Sequence, residues 1–177
     1  MNEFDLKYPI GKFEAPQSIT QTHLNEWIGQ IEALPKRLNQ LTFDLNQEQL
    51  DTPYRDQGWT VRQVVHHLAD SHLNSFIRFK WSLTEKNPLI KAYFEDRWAE
   101  LPDSKADIQL SLDLLQALHA RWIIMLKSLN EDDLKRTFIH PEGQVTVSLA
   151  KNIGIYAWHG EHHYAHIENL LKKKNWK

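Results

Sequence analysis

WTVRQVVHHLADSHLNSFIRFKWSL, residues 59–83, is the stretch of sequence that decides the fold. Thr60 and Gln63 have the spacing of a capping box, in which each side chain accepts a hydrogen bond from the other residue's backbone amide. Apolar residues then recur with the helical period, and Leu68 and Phe79 share the resulting apolar face. The pattern predicts a long helix that runs to about residue 83 and buries one face.

Three further segments show the same period, over residues 20–44, 107–129 and 148–174. Pro35 is expected to kink or interrupt the first of them, and Ser148 is the expected N-cap of the last. Four long helices predict an all-α four-helix bundle, and the chain length predicts a single domain spanning residues 1–177. The smaller predicted elements are an extended arm over residues 1–17, a helical turn at 46–50, a short helix near 95–100 within the long connection 85–103, and a two-stranded hairpin within 136–147.

The composition excludes several classes of protein and site. A formal net charge of -2 provides no general attraction to nucleic-acid phosphates, so we expect no nucleic-acid partner. No apolar run approaches the roughly 18 residues of a membrane helix, and the first residues lack the features of a signal peptide. We therefore expect a cytoplasmic protein with no membrane association. Because the chain contains no cysteine, any metal ligands must be nitrogen or oxygen atoms.

The ten histidines are unevenly distributed, with three between positions 66 and 72 and four between 159 and 166. His159 and His163 lie one helical turn apart, so their rings can converge on one ion. His67 lies beside the apolar face of its own helix and supplies a third inward-facing imidazole. The spacing therefore predicts a divalent metal site built by two helices.

A polar stripe accompanies His67 along its helix and contains Ser71, Asn74 and Arg78. A polar stripe beside a buried face is typical of a helix that lines a cavity. These side chains could hold a polar or anionic substrate, although Arg78 could equally pair with an acidic side chain.

The remaining histidines fit the metal site less well. His66 projects about a quarter-turn away from His67, and His162 is expected to point further out, towards Trp158. His72 and His119 lie in apolar stripes, where a hydrogen-bonded core histidine is the more common role. His23 and His140 are expected at the surface.

Two blocks, DTPYRDQGWTVRQVVHHLADS at 51–71 and WHGEHHYAHI at 158–167, resemble the DinB/YfiT-like family of metal-dependent hydrolases. The resemblance covers nearly the whole chain. It implies a four-helix bundle, often a homodimer. It also implies one zinc or nickel ion per subunit, held by one histidine from the second long helix and by two from the last.

Carried onto this chain, the family pattern falls on three metal ligands: His67, the histidine that precedes a leucine, together with His159 and His163. His166 stands where many relatives have a glutamine. This departure leaves open whether His166 is a further ligand or a hydrogen-bonding partner of one.

Three neutral imidazoles leave a tetrahedral ion with one open position, as in catalytic zinc sites. Zinc lowers the pKa of a water molecule in that position from about 15.7 to about 7, which suits hydrolysis of a small-molecule substrate. Asp70 and Glu161 are the acidic candidates for a general base, and either could instead form an ordinary salt bridge or support a ligand. The sequence assigns no catalytic residue beyond these candidates.

Two alternatives to a hydrolase remain open at this stage. The ion could bind a low-molecular-weight thiol and present it as a thiolate, as in the thiol-dependent S-transferases that some DinB-like relatives resemble. The ion could also act without catalysis, as a clip between two helices. Zinc is the leading ion and nickel the second, since imidazole suits both.

Overall fold

The structure is a computed structural model that describes residues 6–176. Four long helices dominate it and match the four predicted segments to within about two residues at each end. The fold is therefore the predicted four-helix bundle with a small hairpin before the last helix. The elements in chain order are α1 Gln21–Thr42, α2 Gln47–Leu50, α3 Val61–Thr84, α4 Glu95–Trp98, α5 Ile108–Ser128, α6 Glu131–Lys135, β1 Thr137–His140, β2 Val145–Ser148 and α7 Leu149–Lys173, with 3-10 turns at Pro102–Lys105 and Glu142–Gln144.

The helices begin at the capping residues that the sequence predicts. Thr60 caps α3, since its hydroxyl accepts from the Gln63 amide at 3.1 Å and the Gln63 side chain accepts from the Thr60 amide at 3.0 Å. The Ser148 hydroxyl accepts from the Lys151 amide at 3.2 Å and begins α7. These bonds satisfy amides that the first helical turn leaves without partners, so the starts of both helices are well defined.

Helices α3 and α7 are neighbours in the bundle. Both α1 and α3 pack against α5 and against α7. The connection between α1 and α3 contains the short helix α2, and Leu50 of α2 is buried in the core beside Val61 and Val65 of α3. Because α3 and α7 carry the histidine-rich segments, the packing of these two helices brings those segments together.

The core is apolar along most of the bundle, and its largest fully buried side chains include Trp122 of α5, Phe79 of α3 and Phe138 of β1. Burying side chains of this size contributes about 1.5–3 kcal/mol each to folding. Phe138 pairs with Val147 across the antiparallel hairpin of β1 and β2, which packs this hairpin onto the core immediately before α7 begins.

Pro35 does not interrupt α1, which continues through it to Thr42. Proline lacks an amide hydrogen, so the carbonyl of Ile31, four residues earlier, has no helical donor. The side chain of His119 from α5 takes that place, with its Nδ1 2.7 Å from the Ile31 oxygen. The proline therefore leaves the Ile31 carbonyl free to accept a hydrogen bond from a neighbouring helix.

The predicted N-terminal arm lies over α7 where it is described. Trp158 donates from Nε1 to the carbonyl of Gly11 at 3.1 Å. Residues 1–5 of the predicted arm fall outside the described residues. None of the helices in residues 6–176 combines the length and the apolar character needed to cross a membrane.

Candidate metal centre

Three histidines from α3 and α7 converge at one point. His67, His159 and His163 each offer one ring nitrogen, and these nitrogens all lie within 4.8 Å of one another. The ring centroids form a compact triangle with sides of 5.1, 4.7 and 4.6 Å. The structure thus brings together the three residues that the sequence selected.

The spacing of the donor atoms fits a metal ion. Nε2 of His67 lies 3.1 Å from Nε2 of His159. Two nitrogens bound to a tetrahedral zinc ion at 2.0–2.1 Å would be about 3.3 Å apart, so a small shift accommodates the ion. Nitrogen donors of this type suit zinc and nickel.

Gly160 allows α7 to approach α1 closely at this level of the bundle. A Cβ atom on Gly160 would lie 2.7 Å from Cδ2 of Leu34, which is a buried core residue. Because Gly160 has no side chain, α7 can lie close to α1 in the segment that carries His159 and His163.

A chain of histidines behind His159 determines which of its nitrogens carries a proton. Nδ1 of His159 lies 3.3 Å from Nε2 of His72, and Nδ1 of His72 lies 2.9 Å from Nε2 of His119. The chain ends at the Ile31 carbonyl, which can only accept, so His119 must donate from Nδ1. For neutral rings, His72 then donates to His119 and His159 donates to His72. This order leaves the Nε2 lone pair of His159 free at the point where the three rings converge.

A shorter chain acts in the same way on His163. Nε2 of His166 lies 3.2 Å from the carbonyl of Lys7 and donates to it. Nδ1 of His166 is then an acceptor, and it lies 3.4 Å from Nδ1 of His163. His163 therefore keeps Nε2 free. Ligand histidines in metalloproteins usually donate their second nitrogen to such a partner, which fixes the ring's orientation and tautomer.

Burial keeps these imidazoles neutral, as metal binding requires. Desolvation, assisted by the charge of His162, lowers the pKa of His67 to about 4. Desolvation is also the main cause that holds the pKa of His159 and of His163 well below the usual value. The lone pairs of all three rings are thus available for metal binding at neutral pH.

A second group of histidines, His162, His163 and His166, also offers nitrogens within 4.8 Å of one another. All three lie on α7, and His166 is already bonded to Lys7 and stacked on Tyr54 at 3.9 Å between centroids.

The expectation that His162 points outward was wrong, because it is only 7% exposed. It does lie against Trp158, with the rings stacked at 4.6 Å.

His66, the neighbour of His67 on α3, faces away from the three converging rings. Nδ1 of His66 lies 2.7 Å from the Ser111 hydroxyl, and its Nε2 lies 3.2 Å from the Ala106 carbonyl. These partners are in and next to α5, so His66 is turned away from the three converging rings. His72 and His119 are buried and hydrogen-bonded, as predicted.

Neither acidic candidate for a general base lines the cavity in front of the three histidines. Glu161 forms a two-pronged salt bridge with Arg37 of α1, the alternative role that the sequence allowed. Burial and the neighbouring Asp103 raise the pKa of Asp70 to about 6. Asp70 thus interacts with a carboxylate outside the cavity, and its backbone carbonyl accepts from Asn74.

A cavity of about 330 Å³ opens in front of the three rings. Its volume is at the lower end of the range for small-molecule sites. Much of the cavity wall comes from the long connections between helices. The side chains that these connections contribute were not predicted from the sequence. The expectation of a surface position for His140 was incomplete, since this half-buried side chain also lines the cavity. The lining residues that the sequence analysis did not assign to the site are Trp59, Ala92, Tyr93, Glu95, His140, Glu142, Tyr156, Trp158 and His162.

The predicted polar stripe of α3 reaches the cavity in part. Ser71 and Arg78 line it, whereas Asn74 does not and instead donates to the Asp70 carbonyl at 2.9 Å. The described residues provide no acidic partner for Arg78, so the salt-bridge alternative for this side chain is not realised.

Comparison with known proteins identifies the family. The pattern of the DinB superfamily matches residues 30–167, and the chain belongs to this superfamily. A protein of Oceanobacillus iheyensis named "Putative metal-dependent hydrolase" is 56% identical over 99% of this chain and 100% of its own length. A Bacillus cereus protein of the same name is 58% identical over 97% of this chain and 99% of its own.

Solved structures support the same assignment. YfiT from Bacillus subtilis, described as a probable metal-dependent hydrolase with an unusual four-helix bundle topology, superposes with a TM-score of 0.95. It is 49% identical, and the match covers 98% of this chain and 99% of that one. TT2238, a four-helix bundle protein, has a TM-score of 0.55 at 19% identity over 84% of this chain and 98% of its own, and shares the fold alone.

Proposed function

We propose that the protein is a metal-dependent hydrolase of small molecules, with one divalent ion bound by His67, His159 and His163. The observation that carries the proposal is the convergence of three neutral imidazoles at the wall of an open cavity. An ion held there by three protein ligands would be accessible from the cavity, as in catalytic rather than structural sites.

The chain's own residues have distinct tasks in this proposal. The three histidines would hold the ion, and the chains behind His159 and His163 keep these rings in the tautomer that leaves Nε2 free. The ion, when bound, supplies Lewis acidity and lowers the pKa of a water molecule. Because the three ligands are neutral, they leave the charge of the ion undiminished.

Proton transfer needs a further group, and we assign it to a carboxylate of the cavity wall. Glu95 and Glu142 are the carboxylates among the lining residues of the described chain. Both lie at exposed positions of the wall, and a carboxylate is a suitable acceptor for the proton that hydrolysis releases. This proposal replaces Asp70 and Glu161, the two candidates that the sequence offered.

Zinc is our proposed ion, with nickel as the second candidate, at one ion per subunit. We also propose that the chain forms a homodimer, following its resemblance to the family. Sedimentation equilibrium should then give twice the mass of the chain, and a monomer at all protein concentrations would contradict this assembly.

The activity is tested by comparing three zinc-loaded proteins on panels of ester, amide and phosphoester substrates. Wild type should turn over at least one class without added thiol, and His163→Ala should lose that turnover together with the zinc. His23→Ala is the matched control, because His23 lies outside the cavity and bonds to Thr20 at the start of α1.

The same panels distinguish the alternatives. Turnover that requires a low-molecular-weight thiol would replace the hydrolase with the metal-dependent S-transferase. A bound ion with no turnover on any panel would favour a non-catalytic metal-binding protein.

A further inference from the structure

Arg78 is a buried cation without an anion. Its side chain lies in the bundle at 8% exposure, and no carboxylate of the described residues forms an ion pair with it. Nη1 donates to the hydroxyl of Tyr156 at 3.2 Å, and Nε has no partner in residues 6–176. Buried charges in proteins are usually paired, so a guanidinium in this state is prepared for a partner that arrives from outside.

Arg62, on the same helix, shows how the fold satisfies an arginine that has a structural role. At 7% exposure it donates to the carboxylate of Asp51 at 2.7 Å, to the side chain of Gln47 at 2.6 Å and to the carbonyl of Ala106 at 3.0 Å. Arg78 is buried to the same degree and has one neutral partner. The difference indicates a functional rather than a structural guanidinium.

Arg78 lines the same cavity as the three converging histidines. It lies eleven residues beyond His67 on α3, a rise of about 16 Å between the two Cα atoms, and its long side chain can reach back towards the N-terminus of the helix. Tyr156 joins Arg78 to the histidine site, since its hydroxyl accepts from Arg78 and its ring lies 5.5 Å from that of His159. Desolvation lowers the pKa of the His159 ring, and the guanidinium lies close enough for its charge to add to that effect.

Neither carboxylate of the cavity lining pairs with Arg78. Glu95 and Glu142 line the cavity but are exposed and form no ion pair with the arginine. Burial raises the pKa of Tyr93, so this phenol stays neutral. A divalent ion bound by the neutral imidazoles would add positive charge to that of Arg78, whereas the two carboxylates lie at exposed positions. The buried positive charge favours an anionic ligand.

We propose, building on the metal-dependent activity proposed above, that Arg78 binds an oxyanion of the substrate, a carboxylate or a phosphate monoester, in the cavity that it shares with the metal ligands. The substrate is then a small anionic molecule. The planar guanidinium binds either oxyanion with two parallel hydrogen bonds, which also orients the substrate.

The test measures binding by ligand-observed and protein-observed NMR, with benzoate and phenyl phosphate as anionic probes and benzamide as the neutral isostere of benzoate. Wild type, Arg78→Met and Arg78→Lys are compared, each zinc-loaded and metal-free. Arg121→Met is the matched control, since it removes one positive charge from the exposed face of α5, where Arg121 lies over the ring of Phe76. Thermal denaturation of each variant establishes that it is folded.

We expect the Arg78→Met variant to bind at least one anionic probe about tenfold more weakly than wild type or worse, with benzamide unaffected. Arg78→Lys should be intermediate, because it retains the charge without the planar fork. The probe with the larger loss identifies carboxylate or phosphate as the preferred group. Equal binding of benzoate and benzamide, or wild-type affinity for both anions in folded Arg78→Met, would overturn the proposal. The comparison of metal-free proteins tests the role of Arg78 even if zinc does not bind. A failure of the proposed metal-dependent function is therefore distinguishable from a failure of this proposal.

Discussion

Replacing His119 with phenylalanine tests the hydrogen-bonded chain that leads from Ile31 to His159. The side chain is 2% exposed and connects the Ile31 carbonyl to Nδ1 of His72. Its loss leaves both groups without a partner, because Pro35 has no amide hydrogen to offer Ile31. An unsatisfied buried polar group costs about 1–3 kcal/mol, so the metal-free protein should lose about 2–6 kcal/mol of unfolding free energy.

The same variant should weaken zinc binding. Without an acceptor at Nδ1, His72 gains by moving its proton to Nε2 and donating to His159. His159 must then accept at Nδ1 and carry its own proton on Nε2, the atom that faces His67. Zinc binding then requires the proton of His159 to move back from Nε2 to Nδ1. Loss of a hydrogen bond that supports a ligand histidine typically weakens metal affinity about 10-fold to 100-fold, which corresponds to about 1.4–2.7 kcal/mol.

His119→Gln is the matched control, because a glutamine amide can donate to Ile31 and accept from His72 in the same direction. Competition with a chromophoric zinc chelator measures affinity, and ¹⁵N chemical shifts of the His159 ring in metal-free protein report which nitrogen is protonated. Glutamine should retain most of the affinity that phenylalanine loses. Wild-type zinc affinity in folded His119→Phe, with His159 still protonated at Nδ1, would refute the reasoning.

Two further predictions concern the stability of the metal-free protein. Its free energy of unfolding should fall as the pH drops from about 6.5 towards 4, because burial lowers the pKa of His67 and His119 to about 4 and the unfolded chain takes up protons first. The raised pKa of Asp70, about 6, opposes this trend at one site only, and a flat profile in urea titrations over that range would contradict the account. Gly160→Ala should destabilise by about 1–3 kcal/mol because its Cβ would meet buried Leu34. In thermal denaturation, Gly29→Ala, which opens onto free space in α1, should be neutral or stabilising, and equal effects of the two variants would remove the role assigned to Gly160.

The sequence predicted the four long helices and the three converging histidines because both depend on local spacing, whereas the short helix α6 was not predicted. Thr60 and Gln63 define the start of α3 without any long-range information, and the turn between His159 and His163 places their rings together in any helix. His67 could be selected because the apolar face of its helix fixes which side chains point towards the bundle interior.

The rest of the candidate site depends on contacts between distant segments. The link from His72 through His119 to Ile31 requires the packing of α1, α3 and α5, although Pro35 signals a free carbonyl four residues earlier. Glu95 and Glu142 come from connections whose paths follow no periodic pattern. Asp70 and Glu161 were chosen for their proximity in sequence to the histidines, and the packing of neighbouring helices directs them elsewhere.

The central claim is that His67, His159 and His163 bind one metal ion, and a crystal structure of zinc-supplemented protein measured at the zinc absorption edge tests it most directly. The account predicts a single anomalous peak with Nε2 of all three residues at about 2.0–2.1 Å and an open position towards the cavity. A peak among His162, His163 and His166 instead, or carboxylate ligands in place of His67, would contradict it. No peak after supplementation would contradict it as well.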